Sequence, residues 1–565
     1  MTGEDLRDRV AAWMEADPDE RDRTELESLL ADPSPQAAAE LADRFAGRLR
    51  FGTAGLRGAV GAGPNRMNLA TVTATTAALA KWLKAGEPTA AQAGVVIGHD
   101  ARHRSDEFAL RTARVLAGAG IRVHMLTGHL PTPLLAYAVR KLRAASGVMI
   151  TASHNPRADN GYKVYLADGA QIVPPADTDI EAAIDEIGPL ADVALAPADS
   201  PLISRPTDEL TQSYLDTICA VAPPPPSAAW LRFVYTPLHG VAGQLALRAF
   251  AQAGFSEPDV VEAQFAPDPE FPTVNFPNPE ETGTLDLALA QARRSAADLV
   301  IANDPDGDRL AAAVPDADAP GGWRALTGDQ VGALLGAFLL GRLAADPETH
   351  MATQLVASTI VSGSLLARVA EDAGAQYVRT LTGFKWIARA ADLRAGARFA
   401  FGYEEALGYE VTAAVRDKDG ISAALALLSL AAVARSVGES LVDAYDGLER
   451  KHGVHLTAQL SVQSATTTEI MVRLRAAAPE QLAGERVTAV TDYTGGSWDL
   501  PSADVLAFEL AGARVVIRPS GTEPKIKAYL EVVEPVSFGR LSDARQAAAE
   551  RMERLRAATA ELLAG

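Results

Sequence analysis

The sequence predicts an α/β protein of several domains with largely parallel sheets. At 565 residues the chain exceeds what one hydrophobic core can fill, so we expect three or four compact units. Amphipathic stretches such as residues 105–116 and 285–294 alternate with short apolar runs such as residues 95–97. This alternation is typical of strands that are connected by crossover helices.

Four short apolar runs lead directly into polar loops. Ligands of α/β sheets usually bind beyond the carboxyl ends of the strands, so we expect the chemistry at these loops, each in a different domain. The runs and loops are 148–150 before TASHNP (151–156), 299–301 before ANDPDGDR (302–309), 398–401 before GYEEALGY (402–409), and 515–517 before RPSGTEPK (518–525).

The composition narrows the class of protein. Apolar residues make up 48% of the chain without a run near 18 residues, which favours a soluble protein, and the acidic start lacks the pattern of a secretion signal. We therefore expect a cytoplasmic location and no membrane partner. Cys219 is the single cysteine, so a disulfide framework is excluded. The net charge of −20 argues against nucleic acid and leaves a small phosphorylated metabolite as the expected partner, with the oligomeric state open.

The first loop contains a candidate nucleophile, Ser153. Pro156 and the turn that follows it predict a constrained loop on which the serine is exposed. Its hydroxyl could accept a phosphoryl group if a metal and cations stabilise the charge, and His154 and Lys163 are suitable polar neighbours. The alternative is a loop whose serine and asparagine only satisfy backbone groups.

The second loop contains a candidate metal site. Asp304, Asp306 and Asp308 are spaced two residues apart on a short turn after an apolar strand. Oxygen ligands of this kind suit Mg²⁺, which binds carboxylates together with phosphate oxygens. The alternative is an acidic turn that is merely solvated.

The third and fourth loops contain candidate binding residues for a sugar and a phosphate. Glu404 and Glu405 could accept hydrogen bonds from vicinal sugar hydroxyls, although a surface acid pair is the alternative. The fourth loop combines cations, hydroxyls and a glycine turn that suit a phosphate, although a self-satisfied turn is the alternative. Its candidate residues are Arg518, Ser520, Gly521, Thr522 and Lys525. The combination of a nucleophile, an acid cluster, a hydroxyl clamp and a phosphate clamp favours an enzyme.

These four motifs, in this order, resemble the α-D-phosphohexomutase superfamily of phosphoglucomutase and phosphomannomutase. Further strings resemble its phosphoglucomutase-2/phosphopentomutase-like branch: FGTAGLRG (51–58), DNGYKVY (159–165) and LTGFKWI (381–387). The resemblance implies four domains around a central cleft, three of them related α/β domains and the last a smaller α+β domain. Proline-rich stretches mark candidate boundaries between these domains. We therefore expect the domains to span residues 1–205, 206–320, 321–452 and 453–565.

The resemblance also implies roles for the motif residues. Ser153 would be phosphorylated, and its phosphate would hold one Mg²⁺ per chain together with Asp304, Asp306 and Asp308. Arg57 and Arg309 would steady the transferring group. The remaining roles would be proton transfer or charge stabilisation by His154 and Lys163, sugar contacts by Lys385, Glu404 and Glu405, and a distal phosphate grip by Arg518, Ser520, Gly521, Thr522 and Lys525.

The resemblance predicts a phosphosugar mutase that works through a sugar bisphosphate, with glucose 1-phosphate and glucose 6-phosphate as the first choice of substrates. One departure from the family pattern leaves the choice of sugar open, because Ala406 stands where many phosphoglucomutases have a sugar-binding serine. A pocket without that hydroxyl discriminates less, so ribose, deoxyribose and mannose phosphates are alternatives. Tyr409 stands near a family histidine, whose role we do not transfer. A phosphatase using the same serine and a phosphosugar-binding regulator are the competing functions.

Overall fold

The computed structural model describes residues 3–51, 55–86, 89–206, 208–464, 466–497, 500–520, 525–537 and 540–564. Within these residues the strands form four sheets, of six, five, four and six strands. The strands of the first three sheets alternate with helices along the chain and include parallel pairs, whereas the described strand pairs of the fourth sheet are antiparallel. The predicted α/β fold with an α+β C-terminal part is therefore confirmed.

The first sheet has four strands that pair in parallel and, at one edge, two further strands that are joined to them by antiparallel pairing. Its strands are β1 (Leu56–Ala59), β2 (Val95–His99), β3 (Val123–Met125), β4 (Ser146–Ile150), β5 (Asp159–Leu166) and β6 (Ile203–Ser204), in the order β1-β5-β4-β2-β3-β6. The helices of this part are α1 (Gly3–Ala16), α2 (Glu20–Ala31), α3 (Pro35–Arg44), α4 (Leu69–Gly86), α5 (Ala90–Ala93), α6 (Ser105–Gly118), α7 (Thr132–Lys141), α8 (Ala176–Asp185) and α9 (Asp208–Cys219). Strands β2 and β4 are buried along their whole length, which explains the apolar runs 95–97 and 148–150 within them.

The second and third sheets repeat the alternation of strands and helices. The second contains β7 (Phe233–Thr236), β8 (Asp259–Val260), β9 (Leu299–Asn303), β10 (Leu310–Pro315) and β11 (Trp323–Ala325), in the order β11-β10-β9-β7-β8, with α10 (Gly243–Ala253) and α11 (Asp286–Ser295). The third contains β12 (Gln354–Thr359), β13 (Gln376–Thr380), β14 (Arg398–Glu404) and β15 (Gly408–Glu410), in the order β13-β12-β14-β15. The next helices along the chain are α12 (Gly328–Ala344), α13 (Leu365–Asp372), α14 (Phe384–Ile387), α15 (Gly420–Ser436) and α16 (Leu441–His452).

The fourth sheet is covered by the long C-terminal helix. Its strands are β16 (Val454–Gln463), β17 (Gln481–Leu482), β18 (Glu485–Asp492), β19 (Leu506–Leu510), β20 (Ala513–Pro519) and β21 (Lys525–Glu534), in the order β16-β21-β20-β19-β18-β17. The helices are α17 (Thr467–Ala476) and α18 (Leu541–Ala564). Helix α18 buries Ala548, Met552 and Leu555 against the sheet's apolar face, as expected for an amphipathic surface helix.

Each of the four predicted loops follows a strand of a different sheet, as the sequence indicates. Two of them differ from the expectation in their local structure. In GYEEALGY, strand β14 continues to Glu404 and a turn leads into β15, which pairs with it as an antiparallel hairpin. The buried rings of Tyr403 and Tyr409 stack there and favour strand over loop. The fourth loop joins the antiparallel strands β20 and β21, so it is a hairpin loop and not the end of a parallel strand.

The chain divides into two compact units, which are described separately. The first unit contains Met1–Val221, Arg232–Ala311 and Ala414–Ala424, and the second contains Ala222–Leu231, Ala312–Ala413 and Leu425–Gly565. The predicted four-domain boundaries and the central cleft stay predictions. In the described part of the chain, no single helix is long and apolar enough to cross a membrane, while α15 and α16, bent by 88°, pass that test only as a pair.

Packing around α12 gives a test of the second unit. A Cβ added to Gly328, at the start of this helix, would lie 1.9 Å from the carbonyl oxygen of Glu405. We expect Gly328→Ala to lower the free energy of unfolding by about 1–3 kcal/mol, because backbone on both sides must shift. Urea unfolding measures the change.

Gly341 provides the matched control in the same helix. No described atom lies within 4 Å of the Cβ that alanine would add there. Gly341→Ala should raise stability by up to about 1 kcal/mol, because alanine has the higher helix propensity. Equal effects of the two substitutions would contradict the packing of Gly328 against the β14–β15 turn.

Candidate functional site

The centre of the candidate site is the turn after strand β9. Asp304, Asp306 and Asp308 lie on it, and each is at most 1% exposed. The buried ammonium of Lys163, on β5, donates to Asp306 Oδ2 at 2.6 Å and to Asp308 Oδ2 at 3.1 Å. Thr132 Oγ1 donates to Asp306 Oδ2 at 2.7 Å. The acidic turn is therefore not a solvated surface loop, and Lys163 lies where the sequence places it.

Different neighbours give the carboxyl groups different pKa values. Burial acts to raise the pKa of Asp306, but the charge and hydrogen bond of Lys163 and the hydrogen bond of Thr132 outweigh it and lower the pKa below the ordinary value. Burial and the charges of Asp306 and Asp308 raise the pKa of Asp304 well above the ordinary value. An added cation would therefore favour the ionised form of Asp304.

The three carboxylates fit a divalent cation. One oxygen of each lies within 4.8 Å of the others. Asp306 Oδ1 and Asp308 Oδ1 are buried, and within the described residues neither accepts a hydrogen bond. Buried acceptors without a partner are costly, and Mg²⁺ prefers oxygen ligands. Asp304, Asp306 and Asp308 could therefore hold one hard cation.

Ser153 reaches this acidic turn from the neighbouring loop after β4. Its Oγ donates to Asp304 Oδ2 at 2.8 Å and lies 3.2 Å from His154 Nδ1. The serine is 2% exposed, so the expectation of an exposed hydroxyl is wrong, because that hydroxyl turns inward to Asp304. Its φ of 53° is unusual for a residue other than glycine and costs of the order of 1–3 kcal/mol.

Three further predicted residues lie around Ser153 and the acidic turn. The backbone N–H of Arg309 donates to Asp304 Oδ1 at 3.0 Å, and its Nε lies 3.9 Å from Asp304 Oδ2. Arg57 donates to Asn155 Oδ1 at 3.3 Å on the serine loop. Burial, followed by the positive charges of Arg309 and Arg57, holds the pKa of His154 well below its usual value, so the imidazole is neutral. The first unit brings these residues together, while their catalytic roles stay predictions.

Lys418 is a site residue that sequence reasoning missed. Its Nζ lies 3.1 Å from Asp308 Oδ2, so two lysines contact the same carboxylate. The signal was the string RDKDG (416–420) before an apolar helix. Buried Asp417 accepts a hydrogen bond from Tyr165 at 2.6 Å and one from Lys418 Nζ at 3.4 Å. The string lies more than 100 residues from the acidic turn, and its charges gave no indication of that pairing.

Two glycines let other backbone segments approach the acidic turn. A Cβ on Gly420 would lie 2.2 Å from the carbonyl oxygen of Arg309, and a Cβ on Gly240 would lie 2.4 Å from Pro305 Cα. The N–H next to Gly240, that of Val241, donates to the Pro305 carbonyl at 2.8 Å. These approaches hold the acidic turn rigidly and bring Lys418 to it.

In the second unit, Glu405 is held by hydroxyl groups. It accepts from Thr359 Oγ1 at 3.0 Å and from Ser362 Oγ at 2.8 Å. Burial and the charge of Glu404 raise the pKa of Glu405 to about 7. Arg514 fixes the segment that supplies these hydroxyls, because it donates to the Ser362 carbonyl at 2.6 Å. The predicted sugar contact by Glu405 stays a prediction.

Tyr529 lies near two of the predicted residues of the second unit, Glu405 and Arg518. Burial raises the pKa of Tyr529, with a further contribution from Glu405, while the charge and hydrogen bond of Arg518 oppose it. Trp386, which follows Lys385, packs against the apolar cluster that contains Tyr529. Lys385 is itself buried, with Nζ 5.5 Å from the Trp386 ring centroid. The second unit thus places Glu405 and Arg518 near Tyr529, and Trp386, the neighbour of Lys385, against the same apolar cluster.

The predicted phosphate loop is described at its two ends. The N–H of Ser520 donates to the carbonyl of Lys525 at 2.8 Å, which closes the loop between β20 and β21. Gly521 and Thr522 lie outside the described residues. The phosphate-binding role of these residues stays a prediction.

The geometry of the first unit suits transfer of a phosphoryl group. A hydroxyl nucleophile contacts a buried acid cluster that fits a divalent cation, with Lys163, Lys418 and Arg309 close to the same carboxylates. Phosphoryl transfer depends mainly on positioning and on charge stabilisation, which these groups can provide.

Models of one protein family match the chain in four consecutive stretches. They are the phosphoglucomutase/phosphomannomutase alpha/beta/alpha domain I at residues 48–190, domain II at 212–319, domain III at 327–450 and the C-terminal domain at 468–548. Together these stretches cover more than half of the chain.

Three curated relatives are similar over most of their length. A Haemophilus influenzae protein named "Probable phosphomannomutase" is 42% identical over 82% of this chain and 93% of its own. A Schizosaccharomyces pombe protein named "Probable phosphoribomutase" is 37% identical over 93% of each chain. A Homo sapiens protein named "Phosphopentomutase" is 35% identical over 94% of this chain and 92% of its own.

A solved structure supports the fold. The crystal structure of a phosphoglucomutase/phosphomannomutase family protein from Burkholderia thailandensis superposes with a TM-score of 0.66. It is 22% identical and covers 89% of this chain and 97% of that chain. The likeness concerns the arrangement of the backbone.

The acid cluster gives a test by metal titration. Asp306→Asn should weaken Mn²⁺ binding by at least about 10- to 100-fold. Loss of a residue that only supports a metal ligand already weakens binding by roughly that factor. The substitution removes one of three charges while keeping the size of the side chain. Calorimetric titration with Mn²⁺ measures the affinity.

Asp318→Asn is the matched control, since Asp318 is an exposed aspartate on the loop after β10. It should bind Mn²⁺ as the unsubstituted protein does. Equal Mn²⁺ affinity of all three proteins would show that the acid cluster does not bind the metal.

Proposed function

Because this chain belongs to the phosphoglucomutase/phosphomannomutase family and is therefore a phosphosugar mutase, we propose that it interconverts pentose 1-phosphates and 5-phosphates through phosphorylated Ser153. The observation that carries the role of Ser153 is the 2.8 Å hydrogen bond from its hydroxyl to Asp304 within the buried acid cluster. A serine held against a cation-binding cluster is poised to exchange a phosphoryl group.

The choice of a pentose rests on two observations. The relatives named phosphoribomutase and phosphopentomutase match over 93–94% of this chain. Ala406, at the turn between β14 and β15, supplies no hydroxyl where many phosphoglucomutases bind the sugar. The names of the relatives do not favour glucose, the first choice from the sequence. A hexose phosphate remains the second candidate, because the relative at 42% identity is named as a phosphomannomutase.

The proposed cycle starts from phosphorylated Ser153. The bond between Ser153 Oγ and phosphorus breaks while the free sugar hydroxyl forms its bond to phosphorus, and the proton of that hydroxyl ends on Oγ. The sugar bisphosphate then turns around, and the reverse exchange at its other phosphate leaves the isomeric monophosphate and restores phosphorylated Ser153. The proton can be held in transit by His154, whose Nδ1 lies 3.2 Å from Oγ, since Asp304 would be a ligand of the cation.

The charged residues of the first unit would stabilise the transferring phosphoryl group. Mg²⁺, when bound by Asp304, Asp306 and Asp308, supplies positive charge to the phosphate oxygens. Arg57 and Arg309 would orient the group, and Lys163 and Lys418 hold the carboxylates in place. In the second unit, we propose that Lys385, Glu404 and Glu405 bind the sugar, and that Arg518, Ser520 and Lys525 with Gly521 and Thr522 bind the other phosphate. The cytoplasmic location stays a prediction.

A coupled assay over several sugar 1-phosphates tests both parts of the proposal. The kcat/KM for ribose or deoxyribose 1-phosphate should exceed that for glucose 1-phosphate by at least about 10-fold, a discrimination within the range of one pocket contact. Mannose 1-phosphate completes the set. Ser153→Ala should abolish turnover in a protein that is still folded at the assay temperature, which a thermal unfolding curve checks.

Ser542→Ala, at an exposed serine on α18, is the control and should keep full activity. Release of inorganic phosphate in step with substrate loss would favour a phosphatase instead. Absence of turnover with every sugar would favour a phosphosugar-binding regulator. Full mutase activity of Ser153→Ala would refute the role of the serine.

A further inference from the structure

A buried arginine, Arg102, lies directly beneath the serine loop. It is in the turn between β2 and α6 and is 4% exposed. Its N–H donates to Asp100 Oδ1 at 3.0 Å, and its Nε lies 3.4 Å from Asp100 Oδ2. The Asp100 carboxylate also accepts from Ser105 Oγ at 2.6 Å. Asp100, which lies in the same turn, thus holds the guanidinium of Arg102 in place.

The guanidinium of Arg102 binds four backbone carbonyls of the serine loop. One terminal nitrogen donates to the carbonyls of Ser153 and Asn155, both at 2.6 Å. The other donates to the carbonyls of Pro156 at 2.8 Å and Asp159 at 3.1 Å. These acceptors bracket the loop from the serine to the start of β5. A planar fork with several fixed donors suits this task, whereas an ammonium group acts as a point charge.

The carbonyl that Arg102 binds belongs to the residue with the unusual backbone. Ser153 has a φ of 53°, which residues with a side chain rarely adopt, and its N–H donates to Thr151 Oγ1 at 2.9 Å. Contacts on both sides of the Ser153 Cα therefore fix this conformation. The same conformation directs Oγ to Asp304 at 2.8 Å. A change of φ at Ser153 would move the hydroxyl away from the acid cluster.

The position of the guanidinium is fixed from a second direction. Arg102 Cζ lies 5.1 Å from the centroid of the Phe271 ring, which is itself buried. Next to that ring, Glu270 pairs with Arg157 of the serine loop at 3.0 Å and with His103 at 2.6 Å. The guanidinium of Arg102 thus contacts both the serine loop and the Phe271 ring, whereas the exposed ion pairs of Glu270 add little.

We propose that Arg102 is a positioning residue that holds Ser153 in the conformation from which its oxygen exchanges the phosphoryl group. This inference rests on the proposed function and adds a residue outside the four motif loops. In the exchange, the bond between Ser153 Oγ and phosphorus breaks as the sugar hydroxyl oxygen bonds to phosphorus, and the hydroxyl proton ends on Oγ. Arg102 acts through carbonyls of the loop, so its loss should slow this step more than it weakens substrate binding.

Arg102→Met and Arg102→Lys test the proposal in the full-length protein. Methionine keeps an unbranched side chain and removes all donors, and it should lower kcat about 100-fold, since misplacement by about 1 Å costs that much. KM for the best sugar 1-phosphate and the Kd for Mn²⁺ should stay within about 3-fold, because the ligands of both lie elsewhere. Lysine should give an intermediate kcat. Intact-mass spectrometry should show slower phosphorylation of Ser153 by ribose 1,5-bisphosphate, or by glucose 1,6-bisphosphate if the hexose is preferred, in the same order.

Arg157→Met is the matched control, because Arg157 is an arginine of the same loop whose exposed guanidinium pairs with Glu270. It should keep kcat and the phosphorylation rate within about 2-fold of the unsubstituted protein. If Arg102→Met fails to fold, the Lys variant decides the matter with the same measurements. A thermal midpoint and a Mn²⁺ titration establish that each assayed variant is folded.

Two results would overturn the proposal. One is an unchanged kcat and phosphorylation rate in the folded Arg102 variants. The other is a fall in kcat that is matched by an equal rise in KM and an equal fall in Mn²⁺ affinity. That result would show that Arg102 supports the structure in general and does not specifically position Ser153. Either result, with an active unsubstituted protein and inactive Ser153→Ala, leaves the proposed function intact. An inactive unsubstituted protein that never gains phosphate on Ser153 overturns both.

Discussion

Three carboxylates crowded onto one buried turn are the constraint on which the rest of the first unit depends. Two like charges about 5 Å apart repel by about 3 kcal/mol at an effective dielectric constant near 20, and burial adds a penalty for each. Asp304, Asp306 and Asp308 can stay ionised together only if cations surround them. Lys163 and Lys418 provide part of that charge, and a divalent cation fits the oxygens that the lysines leave available.

The surrounding backbone follows from this requirement. Lys163 comes from the strand after the serine loop, and Lys418 comes from a segment that rejoins the first unit after the third sheet. Gly420 allows that segment to lie against the Arg309 carbonyl. The serine hydroxyl completes the arrangement by donating to Asp304, whose pKa is raised by burial and by the other two carboxylates. The chemistry and the stability of this region therefore use the same contacts.

Much of this could be predicted from the sequence, because the informative residues are close together along the chain. The runs before TASHNP and DPDGDR are strands β4 and β9, and the spacing of the three aspartates indicated a cation site. Long-range pairings could not be predicted in the same way. Neither the contact of Lys418 with Asp308 nor the carbonyls bound by Arg102 leave a local pattern, since their partners lie in distant segments.

The burial of Ser153 could not be predicted for a related reason. A serine that shortly precedes a proline turn is usually exposed, and only the hydrogen bond to Asp304, 151 residues away, turns its hydroxyl inward. The hairpin at GYEEALGY could not be predicted, because its polar residues gave no indication that Tyr403 and Tyr409 are buried and stacked. In both cases tertiary contacts decide what the local sequence leaves open.

The most direct test of the account is the location of phosphate on the protein during turnover. Peptide mass spectrometry after mixing with ribose 1,5-bisphosphate should find one phosphate per chain, on Ser153, and excess ribose 5-phosphate should remove it. Turnover of the sugar phosphate with the phosphate on another residue, or with no phosphorylated residue at all, would contradict the account.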